Sequence, residues 1–251
     1  MKEKCLKSKA ARLIISCGVL LISHFSYGKT QLENEAIQIA NVYATSLDYI
    51  FSQQPLINSQ NSYKDKLFGT DFINHVAEIY KSKFDQPLPP PNSDNIKLLY
   101  QTMIEVMEDN RTLLLDPDIR YKGFIPVIYA FQLSQKFVQK GAGIKLKFTN
   151  KADRVRNMFN APSPWEQSAI AKVESGDNNS VLETSVSGQV NYLVRVEMAP
   201  FCLNCHGKPQ DNPLNKDKEP RNWTDKDITG YKMENWNMQE LGGAISVIIN
   251  Q

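Results

Sequence analysis

The sequence predicts an α+β domain, helices first and an antiparallel sheet after them. Three observations carry this reading. Apolar residues recur with a helical period through the first half of the chain. The period changes to two after Gly143, and a run of small and apolar residues broken by Ser246 closes the sequence at 242–249.

In order, Ile37, Ala40, Ala44, Leu47 and Phe51 recur at steps of three and four, which sets one apolar stripe on a first helix. A polar stretch from Ser52 to Asp65 separates it from a second helical pattern between Phe72 and Phe84, which includes His75, Val76, Ile79 and Tyr80. Pro87, Pro89, Pro90 and Pro91 form a stiff connector. Asn92 or Ser93 can cap a third helix, with Ile96, Leu99, Met103 and Met107 on one face and Asp116-Pro117 at its end. A fourth starts near Phe124, takes Pro126 in its first turn and stops at Gly141. Ile144, Leu146 and Phe148 then alternate with Lys145 and Lys147, the pattern of a strand with one wet face. Ser163-Pro164-Trp165-Glu166 is a capping box with proline at N1 and opens a short helix to about Val173. Strands are expected at 181–186 and 190–198 around a Ser187-Gly188 turn, the second with Val190, Tyr192, Val194, Val196 and Met198 on one face. A polar loop fills 207–229, and 242–249 reads as a buried strand.

The chemistry sits where the second of those strands ends. Cys202-Leu203-Asn204-Cys205-His206 is the C-x-x-C-H pattern of covalent haem c attachment. Each thiol can add across one porphyrin vinyl group, and vinyls on neighbouring pyrroles require sulfurs about one short turn apart. His206 then stands beside the tethered ring, as proximal ligand to its iron. Zinc would need four ligands, and beyond the cluster residues 29–251 offer no cysteine and only His75. A thioredoxin-type motif wants a βαβ setting that the flanks lack, and a Cys202–Cys205 disulfide would close a cramped loop of little value.

The first 28 residues read as a secretory leader. Lys2, Lys4, Lys7, Lys9 and Arg12 precede a mostly apolar Leu13–Phe25, and Ser26-Tyr27-Gly28 suits cleavage after Gly28. The apolar part is too short to span a bilayer. Export to a bacterial periplasm agrees with haem c, which is attached outside the inner membrane. The full chain of 251 residues carries 29 basic and 27 acidic side chains; without the leader the counts fall to 24 and 26, a net of −2. Nothing there suggests nucleic acid, and a mean hydropathy of −0.40 fits a soluble protein with no transmembrane anchor after cleavage. Residues 29–251 are expected to form one domain, its helical part at about 29–120 and its sheet and haem part at about 121–251.

Five stretches carry a resemblance to a known family. They are Lys122-Gly123-Phe124-Ile125-Pro126; Gly143-Ile144-Lys145-Leu146-Lys147; Arg156-Asn157-x-x-Asn160-Ala161-Pro162-x-x-Trp165-Glu166; Cys202-x-x-Cys205-His206-Gly207; and Asp227-Ile228-Thr229-Gly230-Tyr231 ahead of Gly243-Ala244-Ile245-Ser246-Val247. Over about residues 120 to 250 the chain resembles the periplasmic haem-c PAS-like sensor domains. These were long classed as a domain of unknown function and are found alone or fused to chemotaxis receptors and histidine kinases. The resemblance implies a PAS-like sheet holding one haem c per chain, and a redox or small-ligand sensing role. Some members supply a sixth iron ligand from a cysteine on an N-terminal helix, others from methionine. Here Cys5 and Cys17 leave with the leader.

Candidates for the distal position are therefore His75 and Met198, with packing beneath the ring as the alternative role of Met198. Met233 and Met238 lie in the loop that returns toward the cofactor and could swing in, a five-coordinate iron is the further alternative, and Met103 and Met107 belong to a core stripe. Arg156 is a candidate partner for a haem propionate or else for a structural carboxylate. Asn157 and Asn160 fit a turn, and Tyr192, Trp165, Trp223 and Trp236 are candidate ring neighbours. The expected function is a redox or small-ligand sensor acting through a separate redox partner or membrane signalling protein. An electron-transfer cytochrome is the alternative. Peroxidase-like catalysis ranks last because it needs a distal acid–base group, so the chain is not expected to be an enzyme.

Overall fold

The computed structural model describes residues 30–250 except 62, 142 and 177; the leader at 1–28 lies outside the described residues. Helix α1 (Gln31–Ser52) begins where Thr30 and Glu33 form a capping box: the Glu33 amide donates to the Thr30 hydroxyl at 3.2 Å and the Thr30 amide to the Glu33 carboxylate at 2.7 Å. Its buried face is wider than the stripe expected from sequence. Ile39, Tyr43 and Ile50 lie at its centre, and Ile37, Ala44 and Phe51 at the margin, because α1 packs against both the other helices and the sheet. The polar stretch after it holds the short α2 (Gln54–Ile57). Lys64 is buried here and donates to the carbonyls of Ile57, Ser59 and Leu114 at 2.9, 3.0 and 2.6 Å, tying three segments together.

Helix α3 (Gly69–Phe84) buries Phe72, Val76 and Tyr80 and stops at Asp85 in the left-handed region, φ 52°. The Ser93 hydroxyl accepts from the Ile96 amide and starts α4 (Asp94–Asp109). The single helix expected to Asp116 is interrupted at Asn110 and resumes as α5 (Arg111–Leu115). Helix α6 (Pro126–Gln139) starts on its proline, as the missing N–H allows.

Strand β1 (Ile144–Thr149), helix α7 (Pro164–Glu174), strands β2 (Ser180–Thr184) and β3 (Val190–Glu197), the single turn α8 (Leu203–His206) and strand β4 (Leu241–Ile249) complete the chain. The sheet is antiparallel throughout, in the order β1-β4-β3-β2. Strand β4 is central and covered on both faces, which is why it is apolar without alternation. Helices α1 and α6 pack on one face in a core continuous with α3 and α4; α7 covers the other with Ala169, Ile170 and Val173 against Leu193, Leu241 and Ala244. The Ser163–Glu166 capping box holds α7, and Glu166, buried, also receives the Lys147 ammonium from β1 at 2.6 Å.

Register slips where β3 ends. Val196 faces Gly243 and Glu197 faces Leu241, so Gly242 is an extra residue on β4. Strand β3 therefore stops at Glu197, one residue short of the predicted end. The sulfur of Met198 rests on Gly242 so closely that a Cβ there would lie 2.8 Å from it.

Candidate haem-attachment site

The irregularity at Gly242 delivers the chain to the pentapeptide. The Met198 amide donates to the Glu240 carbonyl, and the Cys202 amide to that of Ala199, which opens one helical turn. The Cys202 carbonyl accepts from the amides of Cys205 at 3.2 Å and His206 at 2.9 Å. Residues three and four apart in a helical turn share a face, so both thiols and the imidazole are placed on one side. Both thiols are free and half-buried. Burial pushes the Cys205 thiol up to about 11, with Asp227 adding to it, and burial raises Cys202 as well. Both are therefore neutral thiols at physiological pH. The turn must end in glycine: a Cβ on Gly207 would lie 2.6 Å from the Leu203 carbonyl oxygen and 2.7 Å from the Asp211 carboxylate.

The segment 234–236 returns alongside. The amides of Asn235 and Trp236 donate to the carbonyls of Gly207 (3.1 Å) and His206 (2.9 Å). Glu234 thereby faces the imidazole, and its Oε2 lies 2.9 Å from His206 Nδ1. A carboxylate can only accept here, so Nδ1 carries the proton, which in the neutral ring leaves the lone pair on Nε2. The Trp236 ring stacks on His206 at 4.8 Å and 7°, and the Arg154 guanidinium lies over Trp236 at 4.9 Å.

Arg156 joins these parts. Its Nε and Nη2 donate to the two oxygens of Glu234 at 2.7 and 2.8 Å, its Nη1 to Asp227 Oδ2 at 2.6 Å, and Nη2 also to the Cys205 carbonyl at 3.1 Å. The other Asp227 oxygen accepts from the Thr229 amide and hydroxyl and the Tyr231 amide. Burial alone would raise Glu234 and Asp227, but these hydrogen bonds outweigh it and hold both below the usual carboxylate range. The Arg156 guanidinium is thus committed to protein carboxylates, the second of the two roles expected for it.

Other predicted residues fall elsewhere. His75 directs Nδ1 to the Asp71 carbonyl at 2.8 Å and stacks on Tyr49 at 5.5 Å. Phe51 of the same helix α1 stacks on Phe201 beside Cys202. Two residues along a helix turn about 200°, so His75 and the pentapeptide meet different faces of α1. Met198 is buried against Gly242, Met233 is buried, Met238 is exposed, and Met103 and Met107 lie in the core. Among the four aromatic candidates Trp236 reaches His206. The Trp165 indole donates to Glu183, that of Trp223 to the Lys218 carbonyl, and Tyr192 packs in the main core. Asn157 caps the turn Met158–Asn160 by accepting from Phe159. Sequence reasoning passed over Glu234 altogether and gave Trp236 no particular weight. No periodicity marks either, since each acquires its role from a partner about thirty residues away.

The residues present fit a haem. The donor set is two neutral thiols and an imidazole with a free Nε2. The Tyr121 hydroxyl, buried and without a hydrogen-bond partner among the described residues, adds a polar group for which the cluster has no use; burial, then the nearby Cys205 and Asp227, raise its pKa. No group of three His, Cys, Asp or Glu side chains among the described residues converges as the ligands of a bare metal ion would.

Comparison with known proteins gives the family. No curated protein matches the chain. The crystal structure of the cyanobacterial heme-protein Tll0287 is similar to it at 16% identity and a TM-score of 0.39, covering 64% of this chain and 97% of that one. The family model described as Tll0287-like matches residues 29–250, a span that takes in both the helices and the sheet. The chain belongs to the Tll0287-like family.

Proposed function

We propose that this chain is an exported haem-c protein that senses redox state or a small iron ligand. Cys202 and Cys205 would hold the porphyrin through two thioethers, and His206 would bind iron through Nε2. The observation that carries this is the His206–Glu234 hydrogen bond, which leaves Nε2 available on the same helical turn as two free thiols. Bound there, the haem supplies an iron centre able to change oxidation state or take an exogenous ligand. Glu234 fixes the ring and tautomer of His206, Trp236 covers its face, and Arg156 ties Glu234 to the Cys205 backbone. The haem-protein namesake of the family agrees with this reading.

Sensing is placed ahead of electron carriage, with a membrane signalling protein or a redox protein as partner. The placement of His75 against Tyr49 favours neither a ligand role nor a distal acid–base role for it, so no enzyme activity is proposed. Export to the periplasm rests on the leader at 1–28; no helix among the described residues is long and apolar enough to cross a membrane.

The test is production of the exported protein beside a cytochrome c assembly system. The expected product keeps its colour in acidic acetone and on a denaturing gel, and Cys202→Ala with Cys205→Ala loses it. A colourless wild type refutes the proposal. Rapid carbon monoxide binding by the reduced form supports ligand sensing, and its absence favours a purely redox role.

A further inference from the structure

We infer that Glu234 is a positioning residue that makes His206 a strongly donating ligand and biases the bound haem toward its ferric state. This rests on the haem-c reading of the same site. A histidine that shares its Nδ1 proton with a carboxylate is more basic at Nε2 than one bonded to a neutral acceptor, because the hydrogen bond gives the ring partial imidazolate character. A more basic imidazole donates more charge to iron and stabilises the higher oxidation state. In this chain the acceptor is an ionised side chain at 2.9 Å, fixed from three directions.

The backbone is the first. With Asn235 in the left-handed region, φ 61°, successive amides reach the carbonyls of Gly207 and His206 and lock segment 234–236 against the helical turn. Arg156, whose Nε and Nη2 grip both Glu234 oxygens, is the second, and the Trp236 ring laid parallel to the imidazole is the third. Neither partner is free to swing away.

Arg156 does not cancel the charge. Its guanidinium is shared between Glu234 and Asp227, so two carboxylates face one cation and the network keeps a net charge of −1 beside His206. Arg154 pairs with Glu240 and Lys232 with Asp225, so these four side chains add no net charge. A fixed negative charge behind the proximal ligand favours the more positive ferric haem and disfavours its reduction.

The experiment is spectroelectrochemical titration of the holoprotein, wild type beside Glu234→Gln and Asp225→Asn. Glutamine keeps a hydrogen-bond acceptor but no charge. At a fixed applied potential the reduced-to-oxidised ratio of Glu234→Gln is expected to rise about tenfold, equivalent to about 59 mV for one electron. Asp225→Asn removes an exposed charge, paired with Lys232, from the adjoining loop without touching His206, and should move the ratio less than about twofold. Equal shifts in the two variants, or none in Glu234→Gln, overturn the inference.

A measurement on the wild type stands beside this should the variant fail to fold. Proton NMR of the reduced, diamagnetic holoprotein, six-coordinate as isolated or with carbon monoxide bound, is expected to show the His206 Nδ1 proton far downfield and slow to exchange. A proton exchanging freely with water overturns the inference. Haem that stays covalently bound while these signatures are absent defeats the role of Glu234 alone; lack of covalent haem defeats the functional reading as well.

Discussion

Replacing Arg156 with methionine tests how the cluster is held. The side chain of Asp227 has no exposed surface, and its Oδ2 receives the Arg156 Nη1 at 2.6 Å. Removing the guanidinium strands that oxygen, frees Glu234 Oε1 and leaves Oε2 to His206 alone. Breaking a buried pair from one side costs about 3–5 kcal/mol. The lower end applies, about 3 kcal/mol, because Asp227 keeps three hydrogen bonds through Oδ1 and the Glu234 arm is partly screened by solvent. For a chain of this size that lowers Tm by about 6–12 °C.

The assay is thermal and urea unfolding of Arg156→Met, Asp227→Asn and the double variant. The double variant should be more stable than Arg156→Met, because no buried charge is left unpaired. The effect also has a pH signature. Asp227 has a depressed pKa in the fold, so its contribution is present above the ordinary carboxylate range and is lost as pH falls through the folded value. Wild type and Arg156→Met should therefore converge in acid. A Tm change under about 2 °C at neutral pH, or a double variant no better than the single, would refute the reasoning.

Gly207→Ala drives a methyl group into the Leu203 carbonyl and the Asp211 carboxylate, and should cost about 1–3 kcal/mol while lowering the yield of covalently attached haem, read as haem stain per polypeptide. Glu166→Ala should cost about 3 kcal/mol by urea unfolding, since it leaves the Lys147 ammonium without its carboxylate and removes half a capping box. Glu166→Gln should recover about 1 kcal/mol of that through the cap. Because burial is outweighed and Glu166 titrates below its ordinary value, this difference should be full above about pH 5 and fade on acidification. Lys64→Met leaves three carbonyls without their donor and should lower stability by about 3 kcal/mol in the same assay, with haem content unchanged.

How much of this was legible in the sequence depends on the range of the interaction. The Ser163–Glu166 box, Pro126 at a helix start and the alternation of β1 are local patterns, and each element forms where its pattern lies. The box at Thr30 and Glu33 has the same form and could have been read. The break at Asn110 carries no proline or glycine, so the apolar period runs through it unmarked. Strand order was not legible either, since an apolar run says that β4 is covered without saying which strands flank it. At the site the pentapeptide is contiguous, so its spacing can be read without the fold. Glu234 is one carboxylate among 27 acidic residues until the backbone of 234–236 is seen pairing with His206 and Gly207.

The position of β4 has a consequence for assembly. It lies between β1 and β3 yet follows both cysteines in the chain by more than thirty residues. On the proposed reading of an exported haem-c protein, the thiols would leave the membrane before the strand that completes the sheet. Once β4 is in place, the carbonyls of Leu241 and of Glu240 just before it accept from Arg154 and Met198, which fixes the chain leading to the thiols. Attachment as proposed would then have an interval, and the last strand to arrive would end it.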